Sequence, residues 1–330
     1  MRAPAARLEL AFPEPPAGRT LLMGPPGDLP EGLFDPAASV AVQTDAAAHA
    51  ALARRGYAVA VAVPEERFDR AVLFLPRARA AARAAIAAAA ARLAPGAALW
   101  IDGQKTDGVE AALRELRGLA AVGEPVSRAH GKLFAVTVPE GAWLPADWAA
   151  APREVVPGFV TLPGVFSADG PDPGSALLAA ALPARMPARV VDLGAGWGWL
   201  AAQVLAREGV EALHLVEADH AALACARENI RDPRARFHWA DATAFRLPEP
   251  VNGVVMNPPF HDGRAAEPRL GAAFIAAAAG LLTQAGRLWM VANRHLPYEA
   301  ALARHFASVE EIGGDARYKL LTATGARRPR

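Results

Sequence analysis

Residues 69–102 and 252–293 of this chain can be laid over one another, and that self-similarity limits its fold more than any other feature. The first stretch reads DRAVLFLPRA, then a helical run, a Pro-Gly stop and ALWID. The second reads NGVVMNPPFH, then a helical run, an Ala-Gly stop and RLWMVAN. A strand, a helix and a second strand in that order make one unit of a parallel sheet. Finding the unit twice in 330 residues implies an internal duplication. The rest of the chain fits the same plan. Strands are predicted over 19–23, 40–43, 57–63, 69–75, 97–102 and 132–138, with helices over 77–93 and 108–117. The second half repeats this with strands over 189–193, 212–216, 237–239, 251–257 and 286–292. Its helices fall over 198–207, 219–230 and 270–282, and runs at 309–312 and 318–322 close the sheet as a terminal pair. The expected fold class is α/β, with two tandem domains, each a mostly parallel twisted sheet flanked by helices.

The second copy carries the chemistry. The run VNGVVM stops at Asn257, Pro258, Pro259 and Phe260. Proline has no N–H and cannot continue a central strand, so the strand ends at Asn257. An amide, two carbonyls and an aromatic ring then sit at a strand's carboxyl end, where open α/β sheets place their ligands. That set suits methylation of an exocyclic amine on a planar ring. The Asn257 oxygen and a Pro258 carbonyl would hold the two N–H bonds and turn the lone pair outward, while Phe260 stacks on the ring. Where the second copy has these four residues the first has Leu75, Pro76, Arg77 and Ala78, so catalysis is assigned to the second half.

Upstream, VVDLGAGWG ends a strand in Asp192 and follows it with Gly194 and Gly196, which permit a tight turn and close approach of a ligand to the backbone. The next strand, LHLVE, ends in Glu217, placed to accept from ribose hydroxyls. Asp241, in WADAT, reads either as an acceptor for an adenine amino group or as a helix N-cap before Ala244. Loop glycines, Glu217 and Asp241 in this order match S-adenosylmethionine better than a dinucleotide.

Composition narrows the alternatives. The single cysteine, Cys225, excludes disulfide frameworks and cysteine-based metal sites and suits a reducing compartment. No apolar run is long enough to span a bilayer, and the start lacks the continuous apolar segment of a signal peptide. There are 35 basic and 34 acidic residues, divided almost evenly between the two halves. Any nucleic-acid site must therefore be a local patch. Prolines 139, 145, 152, 157 and 163, with Trp143 and Trp148, mark 141–165 as a packed connector between a domain over 1–140 and one over 166–330.

With these pieces assembled, the chain resembles class I S-adenosylmethionine-dependent methyltransferases, and among them the bacterial small-subunit (16S) ribosomal RNA guanine-N2 methyltransferases. The resemblance rests on LPGVFSADGPDPGS, VVDLGAGWG, NPPFHDG and VANRHLPYE. It implies tandem Rossmann-like methyltransferase domains, the first non-catalytic. It implies Gly194 and Gly196 at the cofactor, Glu217 at its ribose, Asp241 at its adenine, Phe166 and Ser167 over it, and Asn257 to Phe260 at the target amine. The implied partner is ribosomal RNA, specifically 16S RNA within a 30S subunit or its precursor, met in the cytoplasm by a monomer with no metal and no membrane. The large-subunit (23S) guanine-N2 enzymes share every motif quoted. A non-catalytic ribosome-binding module that retains a cofactor pocket is the reading from another class.

Overall fold

The computed structural model describes residues 5–259 and 267–327. The chain divides into two compact units, one of residues 1–152 and 162–164, the other of residues 153–161 and 165–330. The expected connector is thus shared out: its first part, with the buried Trp148, belongs to the first unit, and a hairpin over 153–161 belongs to the second.

In the first unit the strands are β1 (Thr20–Met23), β2 (Ser39–Val42), β3 (Ala58–Ala60), β4 (Phe68–Phe74), β5 (Leu93–Gln104), β6 (Val126–Arg128) and β7 (Gly131–Thr137). They lie in the order β3-β2-β1-β4-β5-β7-β6, with β7 alone reversed, antiparallel to both β5 and β6. Helices α1 (Ala5–Ala11), α2 (Ala46–Arg54), α3 (Arg79–Ala90) and α4 (Val109–Arg117) cover the faces. Leu21, Ala71 and Leu73 cluster with Ile86 of α3 and Leu113 of α4, whereas Leu22 and Val72 cluster with Leu8 of α1 and Leu52 of α2. Adjacent residues on one strand serve opposite cores, as the two-residue period of a strand requires.

The second unit opens with the hairpin β8 (Arg153–Val156) and β9 (Phe159–Thr161). Its sheet is built from β10 (Arg189–Leu193), β11 (Ala212–Glu217), β12 (Ala235–Trp239), β13 (Val251–Met256), β14 (Leu282–Asn293), β15 (Phe306–Gly314) and β16 (Tyr318–Ala326). The order β12-β11-β10-β13-β14-β16-β15 repeats that of the first unit. Its helices are α5 (Pro173–Ala181), α6 (Trp199–Leu205), α7 (His220–Asn229), α8 (Glu267–Leu281) and α9 (Glu299–His305). Val190, Val191 and Leu193 of β10 and Val254, Val255 and Met256 of β13 are fully buried, the apolar run of a sheet covered on both faces. Strand order reverses between β10 and β13, so a crevice opens beyond their carboxyl ends.

Register makes the duplication residue-specific. Val72 pairs with Trp100 in the first unit and Val255 with Trp289 in the second; Val72 also pairs with Leu22, and Val255 with Asp192. Phe74 therefore stands at the position of Asn257, which corrects the alignment of Leu75 with Asn257 by one residue. Leu22 stands for Asp192, and Pro26 for Gly196. Gln43 stands for Glu217.

Two other expectations differ from the structure. Pro95 and Gly96 do not end a helix: α3 stops at Ala90, and both residues lie in β5, where Gly96 takes a positive φ and donates to the Val138 carbonyl. The helices α1, α2, α5 and α9 are not marked by the spacing, because each is short and Ala-rich or follows Pro. Among the described residues no helix is long and apolar enough to cross a membrane.

One buried ion pair organises the far edge of the first sheet. Arg7 of α1 is fully buried and donates through Nε and Nη2 to the two oxygens of Asp102, at 2.6 and 2.9 Å. Burial pushes the Asp102 carboxyl up, and Arg7 only partly offsets this. Removing one partner of such a pair strands the other charge. Arg7→Ala is expected to cost about 3–5 kcal/mol in urea unfolding; a loss below about 1 kcal/mol would show that the pair is solvated.

Candidate active site

The loop after β10 is shaped by three glycines. Gly194, Gly196 and Gly198 all have positive φ. A Cβ on Gly198 would come within 2.9 Å of Ile230 and 3.2 Å of Ala226, so that glycine lets the loop lie against α7. A Cβ on Gly196 would meet nothing within 4 Å. That position opens onto free space beside the crevice that Gly196 helps line.

Glu217 braces this loop. One carboxylate oxygen accepts from the Gly196 amide and the other from the Asp219 amide, both at 2.8 Å. Burial pushes its carboxyl up, and these amides offset part of the shift. Gln43 does the same task in the first unit, accepting from the Asp45 amide at 2.9 Å and donating to the Pro25 carbonyl at 2.8 Å. Pro26 has no N–H to offer, so a carboxylate there would lack its second donor. An amide supplies a donor of its own.

The crevice is lined by Phe166, Ser167, Asp172, Ser175, Asp192, the 194–197 loop, Trp199, Leu200 and Asn257. Asp192 is 1% exposed, and neither oxygen accepts a hydrogen bond of normal geometry. Burial, with Glu217 nearby, pushes its carboxyl up to about 8, against a small opposing effect of the Ala201 amide. Asn257 follows β13 directly. Its Nδ2 donates to Asp172 Oδ2 at 2.7 Å and to Ser175 Oγ at 2.8 Å, while its buried Oδ1 has no partner. Turning the amide over would set Oδ1 against a carboxylate, so the network fixes its orientation. Asp172 also caps α5, accepting from the Ser175 amide at 2.8 Å.

The segment with Phe166 and Ser167 forms one wall of the crevice. Phe166 is 53% exposed, unusual for a ring of its size, and its carbonyl accepts from Trp197 Nε1 at 3.0 Å. Ser167 has φ 53° and donates from Oγ to the Gly170 carbonyl. Asn229 ties the β8–β9 hairpin to the loop, exchanging hydrogen bonds with Val160 and donating to the Trp197 carbonyl.

The structure thus brings together Asp192, Gly194, Gly196, Phe166, Ser167 and Asn257. It sets Glu217 behind the loop and leaves Asp241 outside the lining. Asp241 Oδ1 accepts from the Thr243 amide and hydroxyl, closing a turn over 242–244; no helix follows, so the helix N-cap read from the sequence is not formed. Pro258 and Pro259 continue the chain past Asn257, and Phe260 and His261 lie outside the described residues. Spacing did not reveal Asp172, Ser175 or Asn229; the DPGS run after a loop was the one available cue, as an N-cap with Pro at the first helical position. Among the described residues no cluster of three metal-ligating side chains occurs.

The family described as methyltransferase small domain matches residues 157–322, and its N-terminal counterpart matches residues 16–143. The chain belongs to the methyltransferase small-domain family. Curated relatives agree across most of the length. The ribosomal RNA small subunit methyltransferase C of Shewanella halifaxensis is 31% identical over 78% of this chain and 77% of its own. That of Shewanella amazonensis is 30% identical over 78% and 77%. Among solved structures, the T. thermophilus 16S rRNA N2 G1207 methyltransferase in complex with AdoMet and guanosine is similar at a TM-score of 0.80 and 29% identity. The match covers 98% of this chain and 93% of that one. In this methyltransferase, then, the buried carboxyl and the unpartnered amide oxygen face one crevice.

Asp192 should make the ligand-free protein less stable. A carboxyl ionised in the unfolded chain but protonated when folded lowers stability as pH rises from its ordinary 3.8 toward about 8. Asp192→Asn is therefore expected to raise the urea midpoint at pH 8 and change it little at pH 4. An equal change at both pH values would mean that Asp192 is ionised in the folded protein.

Proposed function

We propose that this methyltransferase moves a methyl group from S-adenosylmethionine to the exocyclic N2 amine of a guanine in 16S ribosomal RNA, within the 30S subunit or its precursor. The observation that carries this reading is the Asn257 amide, held through its nitrogen by Asp172 and Ser175 so that only its buried oxygen is free to accept. The names of the curated relatives and the guanosine in the T. thermophilus neighbour support the same substrate.

The crevice fits the cofactor. When bound, S-adenosylmethionine supplies a methyl carbon activated by a sulfonium, and it also carries an ammonium group. A buried carboxylate without a donor suits a cationic ligand. Asp192 would hold the positive charge, the open face of Gly196 would admit the ligand, and Phe166 with Ser167 would cover it. Glu217 keeps lone pairs for ribose hydroxyls while it braces the loop, and Asp241 keeps Oδ2 for an adenine amine. At the substrate, Asn257 Oδ1 accepts one N–H of the guanine amine and turns its lone pair toward the methyl carbon, with Pro258, Pro259 and Phe260 completing the seat. Catalysis of this kind is chiefly positioning.

The first unit is proposed as the non-catalytic copy. Leu22 in place of Asp192 removes the carboxylate, Phe74 in place of Asn257 removes the acceptor, and Pro26 in place of Gly196 fills the open face. Between β1 and β2 only a single 3-10 turn (Pro36–Ala38) occurs, where the second unit has α6.

Two outcomes test these roles. Calorimetry should find one S-adenosylmethionine per wild-type chain and none for Gly196→Arg, whose side chain would enter the crevice. Residual binding at normal affinity would place the cofactor elsewhere. Asn257→Ala should keep cofactor affinity but lower kcat on unmodified 30S subunits about a hundredfold, the size of a lost hydrogen bond plus misorientation. Near-normal turnover would remove the acceptor role from Asn257.

A further inference from the structure

The turn between β6 and β7 is held in a conformation its residues do not favour. Arg128 pairs with Gly131, leaving Ala129 and His130 as a two-residue loop, and both have positive φ, at 49° and 57°. Turns of that hand ordinarily use Asn-Gly. Non-glycine residues stay in this region only when their surroundings impose it, and such strain gathers at functional sites.

Here the surroundings do impose it. Arg7 Nη1 donates to the Arg128 carbonyl at 2.8 Å, and the Lys105 amide donates to the His130 carbonyl at 2.9 Å. With its amide oriented to satisfy its neighbours, Gln104 donates to the Ala129 and His130 carbonyls at 2.9 and 3.2 Å and accepts from Arg7 at 3.0 Å. A Cβ on Gly131 would collide with the Arg7 guanidinium, so the strand lies directly on the buried pair. Every carbonyl from Arg128 to His130 is held from beneath.

What the turn presents is charge. Lys105, Arg128, His130 and Lys132 line a concavity of about 300 Å³ with Ser127, Val109, Gly131 and a single carboxylate, Glu110. Lys105, Arg128 and His130 are exposed, and among the described residues none of them has an ion-pair partner. Lys132 reaches only the Ser127 hydroxyl, at 3.3 Å. In a chain whose charges otherwise balance, three unpaired cations and an imidazole around one concavity form the local patch that a polyanion needs.

We infer that this concavity of the first unit seats the phosphate backbone of the RNA substrate, with Lys105, Arg128 and Lys132 as phosphate contacts and the braced turn fixing their spacing. The inference rests on the reading of RNA as substrate. Phosphate contacts position a nucleic acid without reading its sequence.

The test uses the full chain and a fluorescein-labelled hairpin of 16S sequence, titrated across a range of salt. Lys105→Gln, Arg128→Gln and Lys132→Gln are each expected to reduce the slope of log affinity against log salt by about one. Arg128→Lys should retain the slope. Arg54→Gln, an exposed arginine on α2 of the same unit, should leave it unchanged. Cofactor affinity and melting temperature should stay at wild-type values throughout. Equal slopes for the wild type and the three variants, or an equal fall for Arg54→Gln, would overturn the site. So would variants that bind the hairpin normally but lose affinity for 30S subunits, since the patch would then meet a protein surface. Methyl incorporation into 16S RNA by the wild type is measured alongside. Its absence would count against the substrate reading, whereas intact methylation with unaltered slopes would count against this site alone.

Discussion

Two consecutive residues without an N–H end β13, and the active crevice depends on that interruption. Beside it β10 ends at the same level, so two central strands release their last side chains into one space where the strand order reverses. Side chains that leave a fully apolar sheet at this point enter a buried setting before they meet solvent. Asp192 and Asn257 are both caught there with oxygens that nothing in the protein satisfies. The crevice is therefore held by the fold at a cost to the fold, and the deficit has the shape and sign of a cationic ligand beside an amine donor.

The duplicated units separate what a loop needs from what a ligand needs. Gln43 and Glu217 each accept from the amide two residues on and hold the facing peptide group, Gln43 by donating to the Pro25 carbonyl and Glu217 by accepting from the Gly196 amide. The brace is present in both units. Leu22 and Phe74, in contrast, replace the two groups whose oxygens would be unsatisfied without a ligand. Removing them costs the first unit nothing in its own core, where Leu22 is fully buried among apolar neighbours.

Much of this was legible in the sequence, for physical reasons. Strands with both faces covered read as apolar runs, and double proline marks an end that no partner strand can disguise. The glycine loop, Asp192 and Asn257 followed from those two signals. Asp172 and Ser175 were not legible, because their role comes from a contact with Asn257 more than eighty residues away. The helix N-cap read at Asp241 failed because the same acceptor geometry closes a bare turn, with no helix behind it. The helix stop read at Pro95-Gly96 failed because a glycine with positive φ serves equally well at a bulge in an extended strand. Sequence also could not align the two copies to the residue, since Leu75 and Phe74 are both apolar and only sheet register distinguishes them.

The tether between Trp197 and the segment above the crevice has a further consequence. Trp197 donates to the main-chain carbonyl of residue 166, and the phenyl ring takes no part in that bond. Attachment of the segment is thus independent of which side chain it carries. Position 166 can change its ring for another group without detaching the chain from the loop, so the side chain there is free to vary while the architecture stays. Asn257 has no such freedom. Its orientation and its chemistry reside in the same amide, and any substitution gives up both together.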